Sequence, residues 1–140
     1  MPWRIEYDEQ RNVICLTFEG QVSGEDVRHS SISAIGIIEG KDMRNILSDF
    51  TGVARIDVST LGVFQLPKEY KALGLRGWFR EAIVSPRDSM VRETVVFYET
   101  VCVNRGYSVR TFERRAQALD WLASTEALHP TQKPRGWERR

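Results

Sequence analysis

The chain has 140 residues, of which 41% are hydrophobic and 28% are charged, and its formal net charge is +1. This length fits one domain with one hydrophobic core, and the composition is typical of a soluble globular protein. A net charge so close to zero gives no general attraction to nucleic acid or to an anionic membrane. Residues 124–140 contain four basic and two acidic residues, so residues 1–123 are close to neutral as well.

The first predicted elements are two strands and a helix. Residues 3–7 alternate between apolar and polar, which predicts a half-buried strand. Residues 13–18 are nearly all apolar, which predicts a strand covered on both faces, and the polar turn between the two strands favours an antiparallel hairpin. Ser23 is the expected N-cap of the first helix, and the Asp26 side chain is expected to accept a hydrogen bond from the Ser23 backbone N–H. Gly40 is expected to end that helix.

Strands and helices are predicted to alternate through the rest of the chain. The predicted strands cover residues 45–50, 81–84 and 107–112, and the predicted helices cover residues 58–65, 67–73, the segment between Asp88 and Gly106, and residues 116–122. Two short helices are expected around Pro67, because proline in a helix interior removes a hydrogen bond and clashes with the preceding turn. Asp57 is the expected N-cap of the first of them, and Asp88 or Ser89 that of the long helix.

This order of elements predicts a single α/β domain over residues 1–123. After the opening hairpin, repeated alternation of strand and helix implies a mainly parallel sheet of about five strands joined by right-handed crossovers, with about four helices. Residues 124–140 combine proline, glycine and scattered charge, so we expect a disordered tail there.

Nothing in the sequence indicates export or membrane insertion. The first residues enter a strand pattern without the apolar core of a signal peptide, and no apolar run approaches the roughly 20 residues that span a bilayer. Cys15 and Cys102 lie in apolar patterns far apart in the sequence, which favours buried thiols over a disulfide. We therefore expect a cytoplasmic protein.

The sequence contains no motif for a catalytic, metal or cofactor site. His29 lies on the polar side of the first helix and His129 in the tail, so neither supports a metal cluster or a Ser-His-Asp triad. No glycine-rich phosphate loop follows a strand, and no basic face carries interleaved aromatic residues. We therefore expect a protein that is not an enzyme and that has no cofactor, no metal and no nucleic-acid partner.

The ends of the predicted strands are the first candidates for binding. Parallel sheets bind ligands and partners at the carboxyl ends of their strands, and these ends carry Asp49 and Thr51 after the third strand and Arg87 and Asp88 after the fourth. Helix capping and turn formation are the alternative roles for these side chains. A weaker hypothesis makes Asp49, Arg87 and Asp88 the acid–base groups of an enzyme.

Two apolar segments are further candidates. Trp78 and Phe79, in the loop before the fourth strand, either anchor a protein partner or fold back onto the sheet edge. The helical segment around Pro67 carries apolar side chains that either line a pocket for a small apolar ligand or form an ordinary helix-on-sheet core. These side chains are Leu61, Phe64, Leu66, Tyr70 and Leu73.

Residues 46–63 read ILSDFTGVARIDVSTLGV. This segment resembles the STAS domain family of sulfate transporters and anti-sigma-factor antagonists, in which a strand ending in an Asp-Leu-Ser-Gly-Val-like segment leads to Ile-Asp-Ser-Ser-Gly-Leu-Gly at a helix start. Residues 107–122 are similar to the corresponding part of uncharacterised bacterial STAS/SEC14-like proteins. The resemblance implies a STAS-like fold and a non-enzymatic regulatory module that binds a protein partner.

The resemblance also implies a role for one serine. In the anti-sigma-factor antagonists, a kinase partner phosphorylates the second serine of the motif, and Ser59 occupies that position. Val58 replaces the first serine and Thr60 the glycine, and both Asp57 and Thr60 belong to the implied contact surface. In the alternative interpretation, Ser59 is only a polar residue of the first helical turn.

A carrier or sensor of a small apolar ligand, as among SEC14-like proteins, is the alternative function. A homodimer formed through a sheet edge or a helix is a further expectation.

Overall fold

A computed structural model of the chain describes residues 2–41, 43–75 and 79–124. In these residues, strands and helices follow one another in the order β1 (Trp3–Asp8), β2 (Val13–Ser23), α1 (Gly24–Lys41), β3 (Asn45–Asp57), α2 (Thr60–Ala72), β4 (Arg80–Val84), α3 (Ser89–Asn104), β5 (Ser108–Phe112) and α4 (Arg115–Ala123). The α/β fold predicted from the alternating patterns is confirmed. Apart from Ser124, the predicted tail lies outside the described residues.

The five strands form one sheet in the order in which they occur in the chain, β1-β2-β3-β4-β5. β1 and β2 are antiparallel, with Trp3 opposite Phe18 and Asp8 opposite Val13. The other neighbouring strands are parallel. The predicted hairpin and mainly parallel sheet are therefore confirmed. α1, α2 and α3 connect β2 to β3, β3 to β4 and β4 to β5, and each connection leads to the next strand in the same direction across the sheet. Right-handed connections would therefore place these three helices on the same face of the sheet.

The two faces of the sheet are covered differently. The core against the first three helices includes Leu16, Ile35, Ile46, Leu66, Ile83 and Val95. The core beneath α4 consists of Val13, Leu47, Ala82, Val84, Ala118 and Leu122. Successive side chains of a strand point to opposite faces, so β2, β3 and β4 supply both cores. This is why these strands have almost continuous apolar runs.

Two predicted helix starts and one helix end have the expected hydrogen bonds. At the start of α1, the Asp26 backbone N–H donates to the Ser23 hydroxyl at 3.1 Å, and the Ser23 backbone N–H donates to the Asp26 carboxylate at 2.9 Å. At the start of α3, the Asp88 carboxylate accepts from the backbone N–H groups of Met90 and Val91. Gly106 follows α3 with a φ of 91°, a value that favours glycine.

The predicted break at Pro67 is wrong. α2 is one helix from Thr60 to Ala72 with Pro67 inside it, and Pro67 is fully buried. Proline has no N–H to give to the carbonyl four residues earlier, which is that of Val63. Burial of the ring and of the neighbouring apolar side chains accompanies this lost hydrogen bond, and the helix continues.

The start of α2 also differs from the prediction. Its N-cap is Ser59, not Asp57, and β3 continues up to Asp57. Because the helix begins later than expected, the residues that face the core differ from those predicted. Leu61 and Phe64, predicted to point inward, are 63% and 41% exposed. The buried residues of this helix are Val63, Leu66, Pro67 and Tyr70.

β2 and β3 are longer than predicted, and α1 extends one residue past Gly40. Beyond the five-stranded sheet, the two strands continue as a parallel pair from Glu19 opposite Gly52 to Ser23 opposite Asp57. Thr51 and Gly52, which follow the predicted end of the third strand, lie within β3 at a shift in register. A shift of this kind is a typical place for glycine in a strand. The extension brings the start of α1 and the turn before α2 to the same end of the sheet.

Candidate functional site

Ser59 lies on the surface immediately before α2. Its backbone is extended, with φ −75° and ψ 159°, and its hydroxyl accepts a hydrogen bond from the backbone N–H of Gly62 at 2.9 Å. Asp57 and Thr60 beside it are also exposed. The implied phosphorylation position is therefore an accessible hydroxyl at the N-terminus of a helix, where free N–H groups and the helix dipole favour negative charge.

The turn around Ser59 is tightly packed from within. A side chain added at Gly62 would place its Cβ atom 3.1 Å from Cγ2 of Val58 and 3.2 Å from the Ser59 hydroxyl. Gly24, at the start of α1, also faces Val58, with a Cβ position 3.3 Å from the same Cγ2 atom. Val58 thus fixes the turn against α1, while Ser59 points to solvent.

Removal of the Ser59 cap is expected to weaken α2. Ser59→Ala should lower the free energy of unfolding by about 1 kcal/mol, because the Gly62 N–H loses its acceptor in the protein. Ser59→Asn, which supplies another capping oxygen without charge, should restore most of that loss. Urea denaturation followed by circular dichroism measures both variants. Equal stability of wild type and Ser59→Ala would show that the cap contributes nothing.

The predicted contact residues at the end of the third strand form a separate cluster. The Asp49 carboxylate accepts from the backbone N–H and the hydroxyl of Thr51 at 2.9 and 2.7 Å. Its other oxygen lies 3.3 Å from a guanidinium nitrogen of Arg115, the first residue of α4. These contacts tie the middle of β3 to α4. They do not join Asp49 to Ser59.

The other predicted contact residues have different surroundings. Arg87 and Asp88 are exposed, and Asp88 caps α3. Phe79 is only 2% exposed and packs on Tyr107, with ring centroids 5.5 Å apart, so its ring is not available as a surface anchor. Trp78 lies outside the described residues. Asp57, Ser59 and Thr60 thus form one exposed group of predicted residues at the start of α2, and Arg87 and Asp88 form a second one at the start of α3.

Beneath the Ser59 turn, a cavity of about 40 Å³ lies between the sheet and the helices α1, α2 and α3. Most of its lining is apolar and includes Leu16, Phe50, Val58, Val63, Leu66 and Val95. Of the apolar pocket residues predicted from the sequence, Leu66 and Tyr70 line it. Val58 and Ile56 also line the cavity and are only partly buried, so its lining reaches towards the surface next to Ser59.

Polar groups from five elements meet at this cavity. The Glu81 carboxylate accepts hydrogen bonds from the hydroxyls of Ser48 at 2.7 Å and Tyr98 at 2.8 Å. The hydroxyl of Tyr98 is 2.9 Å from that of Tyr70, which is 3.2 Å from that of Ser31. We call these five residues the Glu81 network. Their hydrogen bonds satisfy polar groups that would otherwise be costly to bury.

Burial dominates the electrostatics of the network. Loss of water raises the pKa of the Glu81 carboxyl, although the hydrogen bonds from Ser48 and Tyr98 act in the opposite direction. Burial also raises the pKa values of the Tyr70 and Tyr98 hydroxyls, and the nearby Glu81 carboxylate adds to that effect. All three groups therefore resist ionisation in the folded protein.

The Glu81 network was not predicted from the sequence, although β4 contained a signal. Glu81 is followed by Ala82, Ile83 and Val84, and a carboxylate in a strand covered on both faces must be buried or lie at an end of the strand. Its partners come from distant parts of the chain, and their spacing gave no indication that they meet.

Cys102 is expected to be chemically inert in the folded protein. Its side chain is fully buried, and burial, with the neighbouring Glu81 carboxylate, raises the pKa of its thiol well above the usual range. A thiol reagent at pH 8 should therefore modify the partly exposed Cys15 first, and Cys102 only after denaturant is added. In Cys15→Ser, native protein should show no fast reaction. Rapid labelling of that variant would contradict the buried position of Cys102.

No group of three or more histidine, cysteine and acidic residues in residues 2–41, 43–75 and 79–124 is placed to hold a metal ion. None of the helices in those residues combines the length and the apolar character needed to cross a bilayer.

Solved structures of other proteins have a similar fold. The anti-sigma factor antagonist SpoIIAA in its unphosphorylated form has a TM-score of 0.51 at 15% identity, over 86% of this chain and 96% of that one. The Bacillus cell fate determinant SpoIIAA in the phosphorylated form has a TM-score of 0.52 at 15% identity, over 86% and 98%. An uncharacterised DUF3478 protein with a SpoIIAA-like fold from Shewanella loihica PV-4 has a TM-score of 0.51 at 19% identity, over 86% and 91%.

These identities are low enough that the structural similarity concerns the fold alone. No curated protein matches the chain. The SpoIIAA-like family model, by contrast, matches residues 13–123, from the start of β2 to the end of α4. The chain therefore belongs to the SpoIIAA-like family.

Proposed function

We propose that this protein is a non-enzymatic regulatory module of the cytoplasm that binds a protein partner through the turn Asp57–Gly62 and is switched by phosphorylation of Ser59. The observation that carries the proposal is the position of Ser59, whose exposed hydroxyl caps α2 on a SpoIIAA-like fold. The partner proposed by analogy with the anti-sigma factor antagonist SpoIIAA is an anti-sigma factor.

A phosphate on Ser59 would change the surface more than the fold. It adds a charge of about −1.5 to −2, and its oxygens remain able to accept from the first N–H groups of α2. The exposed Asp57 carboxylate nearby adds to the local negative charge. A partner that fits the neutral turn would therefore meet a different charge and shape, while the helix beneath keeps its cap.

The enzyme hypothesis receives no support from the positions of its residues. Asp49 is paired with Thr51 and Arg115, and Asp88 accepts from backbone N–H groups of α3. A general acid or base must reach the substrate together with its partners. These carboxylates have structural partners at different places in the fold, so a protein-binding role accounts for the molecule better.

The test uses two variants at one position and a control at another. Wild type, Ser59→Asn and Ser59→Asp are immobilised and incubated with lysate of the source organism, and retained proteins are identified by mass spectrometry. Wild type and Ser59→Asn should retain the same protein, and Ser59→Asp at least ten-fold less, since only the last adds charge. Asp88→Asn, which alters the N-cap of another helix, should bind as wild type does.

The proposal fails if all four proteins retain the same set, or if none retains a specific protein. Circular dichroism of each variant shows whether a loss of binding reflects unfolding. Sedimentation of the wild type alone tests the expected homodimer separately, because a monomer leaves the partner-binding proposal intact.

A further inference from the structure

We propose that the Glu81 network is a proton-linked switch, in which the hydrogen bonds between β4 and α1 reverse their direction when Glu81 gains or loses its proton. The switch lies inside the domain, and its test needs no partner protein, so it stands apart from the proposed role of Ser59. The inference rests on an unbroken row of close contacts that joins a buried carboxyl to the backbone of α1.

Four contacts form this row. Glu81 Oε1 lies 2.8 Å from the Tyr98 hydroxyl, which lies 2.9 Å from that of Tyr70. The Tyr70 hydroxyl lies 3.2 Å from that of Ser31, and the Ser31 hydroxyl lies 2.8 Å from the carbonyl oxygen of Val27. Each hydroxyl has one hydrogen to donate, so it can fill only one of its two contacts in the row.

With a neutral Glu81, every contact in the row holds a hydrogen. The protonated Oε1 donates to Tyr98, and Tyr98 donates to Tyr70. Tyr70 then donates to Ser31, and Ser31 donates to the carbonyl of Val27. Four hydrogens fill four contacts, so every donor in the row has an acceptor, as buried polar groups require.

An ionised Glu81 leaves three hydrogens for the same four contacts. The charged Oε1 takes the Tyr98 hydrogen, because a hydrogen bond to an ionised acceptor is roughly twice as strong as one between neutral groups. Two hydroxyls 2.9 Å apart need a hydrogen between them, so Tyr70 now donates to Tyr98. Ser31 in turn donates to Tyr70. The contact that loses its hydrogen is therefore the last one, between Ser31 and Val27.

The two ends of the row are suited to this reversal. At the α1 end, the Val27 carbonyl also accepts from the Ser30 hydroxyl at 2.9 Å, so it keeps a side-chain donor when Ser31 turns away. At the β4 end, the other carboxyl oxygen of Glu81 accepts from Ser48 at 2.7 Å. A proton on that oxygen would have to be donated to Ser48, whose own hydrogen would then have no acceptor among the described residues. The proton therefore belongs on Oε1, in the row.

No other charge near Glu81 competes with its titration. The titratable groups that face it are the hydroxyls of Tyr70 on α2 and Tyr98 on α3 and the thiol of Cys102 on α3. Burial raises the pKa of all three groups, so they remain protonated while the carboxyl titrates. In the sheet, Ile46 and Val109 lie beside Glu81, and no lysine, arginine or histidine among the described residues lines the cavity.

The α1 end of the row lies close to the Ser59 turn. Val27 lines the cavity beneath that turn. About one helical turn earlier in α1, the Cβ position of Gly24 lies 3.3 Å from Cγ2 of Val58. The protonation state of a carboxyl in β4 therefore changes the hydrogen bonds in the part of α1 on which the turn packs.

An NMR titration of the full chain tests the switch. The chemical shift of the Glu81 carboxyl carbon reports ionisation between about pH 4 and pH 9, a range that includes the pKa values of buried glutamates. The Cβ shift of Ser31 reports the orientation of its side chain. The substitution His29→Gln removes the exposed imidazole of the same helix, which would otherwise titrate in this range. In that background, the two shifts should change with the same midpoint.

Two variants interrupt the row and keep the aromatic ring. Tyr70→Phe removes its middle hydroxyl, so Glu81 should still titrate while the change at Ser31 becomes at least five-fold smaller. Tyr98→Phe removes the donor that the ionised carboxyl uses, so the Glu81 midpoint should rise by about one pH unit. Tyr107→Phe is the matched control, because its hydroxyl donates to a backbone carbonyl outside the row, and it should change neither shift.

Each contrary result would overturn the proposal. A Ser31 shift that stays constant, or that changes with a different midpoint, would separate α1 from Glu81, and this comparison needs neither tyrosine variant to fold. An undiminished change in a folded Tyr70→Phe variant would mean that the effect does not pass along the row. A carboxyl that stays neutral throughout, or loss of the native circular dichroism at the Glu81 midpoint, would show that the folded domain has no ionised state to adopt.

Discussion

Replacement of Phe50 by alanine is expected to lower the free energy of unfolding by about 3–5 kcal/mol. Phe50 is 7% exposed, lines the cavity beneath α2 and stacks on Phe18 with ring centroids 4.5 Å apart. Alanine would remove most of the ring's contacts and enlarge an existing cavity, which neighbouring side chains can fill only in part. Urea denaturation at pH 7 measures the loss, which is a large part of the stability of a typical domain.

Phe64→Ala is the matched control for this prediction. The same side chain is removed, but Phe64 is 41% exposed. The Lys68 ammonium nitrogen and the Arg105 guanidinium carbon lie 5.3 and 5.2 Å from the centroid of its ring. Its loss should therefore cost only about 1 kcal/mol. Similar losses for the two variants would mean that Phe50 does not lie in the core as described.

The second large effect is a pH dependence that originates in Glu81. Because burial raises the pKa of this carboxyl in the folded protein, the folded state binds more protons than the unfolded state over the interval between the two pKa values. The contribution of Glu81 to stability is therefore complete below the ordinary pKa of about 4.5, and is lost as the pH rises through the raised value. The slope from one such group cannot exceed about 1.4 kcal/mol per pH unit.

Glu81→Gln isolates this contribution, since glutamine keeps an acceptor oxygen and does not titrate. The free energy of unfolding of wild type minus that of Glu81→Gln should fall as the pH rises from about 4.5. Denaturant curves for both proteins at half-unit steps from pH 4 to pH 8 give this difference. A difference that stays constant, or that increases with pH, would show that the carboxyl is not held in its neutral form by burial.

The architecture could be predicted from the sequence because it depends on local patterns. Apolar runs distinguished β2 and β3 from the half-exposed β1, and the pair Ser23 and Asp26 marked the start of α1. Such signals depend on residues close in sequence. At Pro67 the local rule failed, because tertiary burial of the proline and its neighbours outweighs one missing hydrogen bond. The shifted start of α2 followed from the same kind of effect, since pairing with β2 extends β3 to Asp57.

The candidate site was predictable only in part. Ser59 was found through a resemblance in the linear motif, and its exposure and capping bond are local properties. The Glu81 network could not be assembled in the same way, because its members come from α1, β3, α2, β4 and α3. Only the sheet order and the packing of three helices on one face bring Ser48 and Tyr98 within reach of the same carboxyl, and Ser31 is linked to it through Tyr70 and Tyr98. A lone glutamate in β4 was the one available indication.

The order of the strands in the sheet has a consequence for how the molecule is made. Each strand pairs with the one that precedes it in the chain, so no strand has to wait for a partner from a distant segment. Such a topology has low contact order for a parallel sheet, which favours rapid folding. On the ribosome, the β1–β2 hairpin and then each helix–strand unit could add to the growing edge as it emerges. We therefore expect nascent chains that end after β4 to be partly protected from proteases, although they lack β5 and α4.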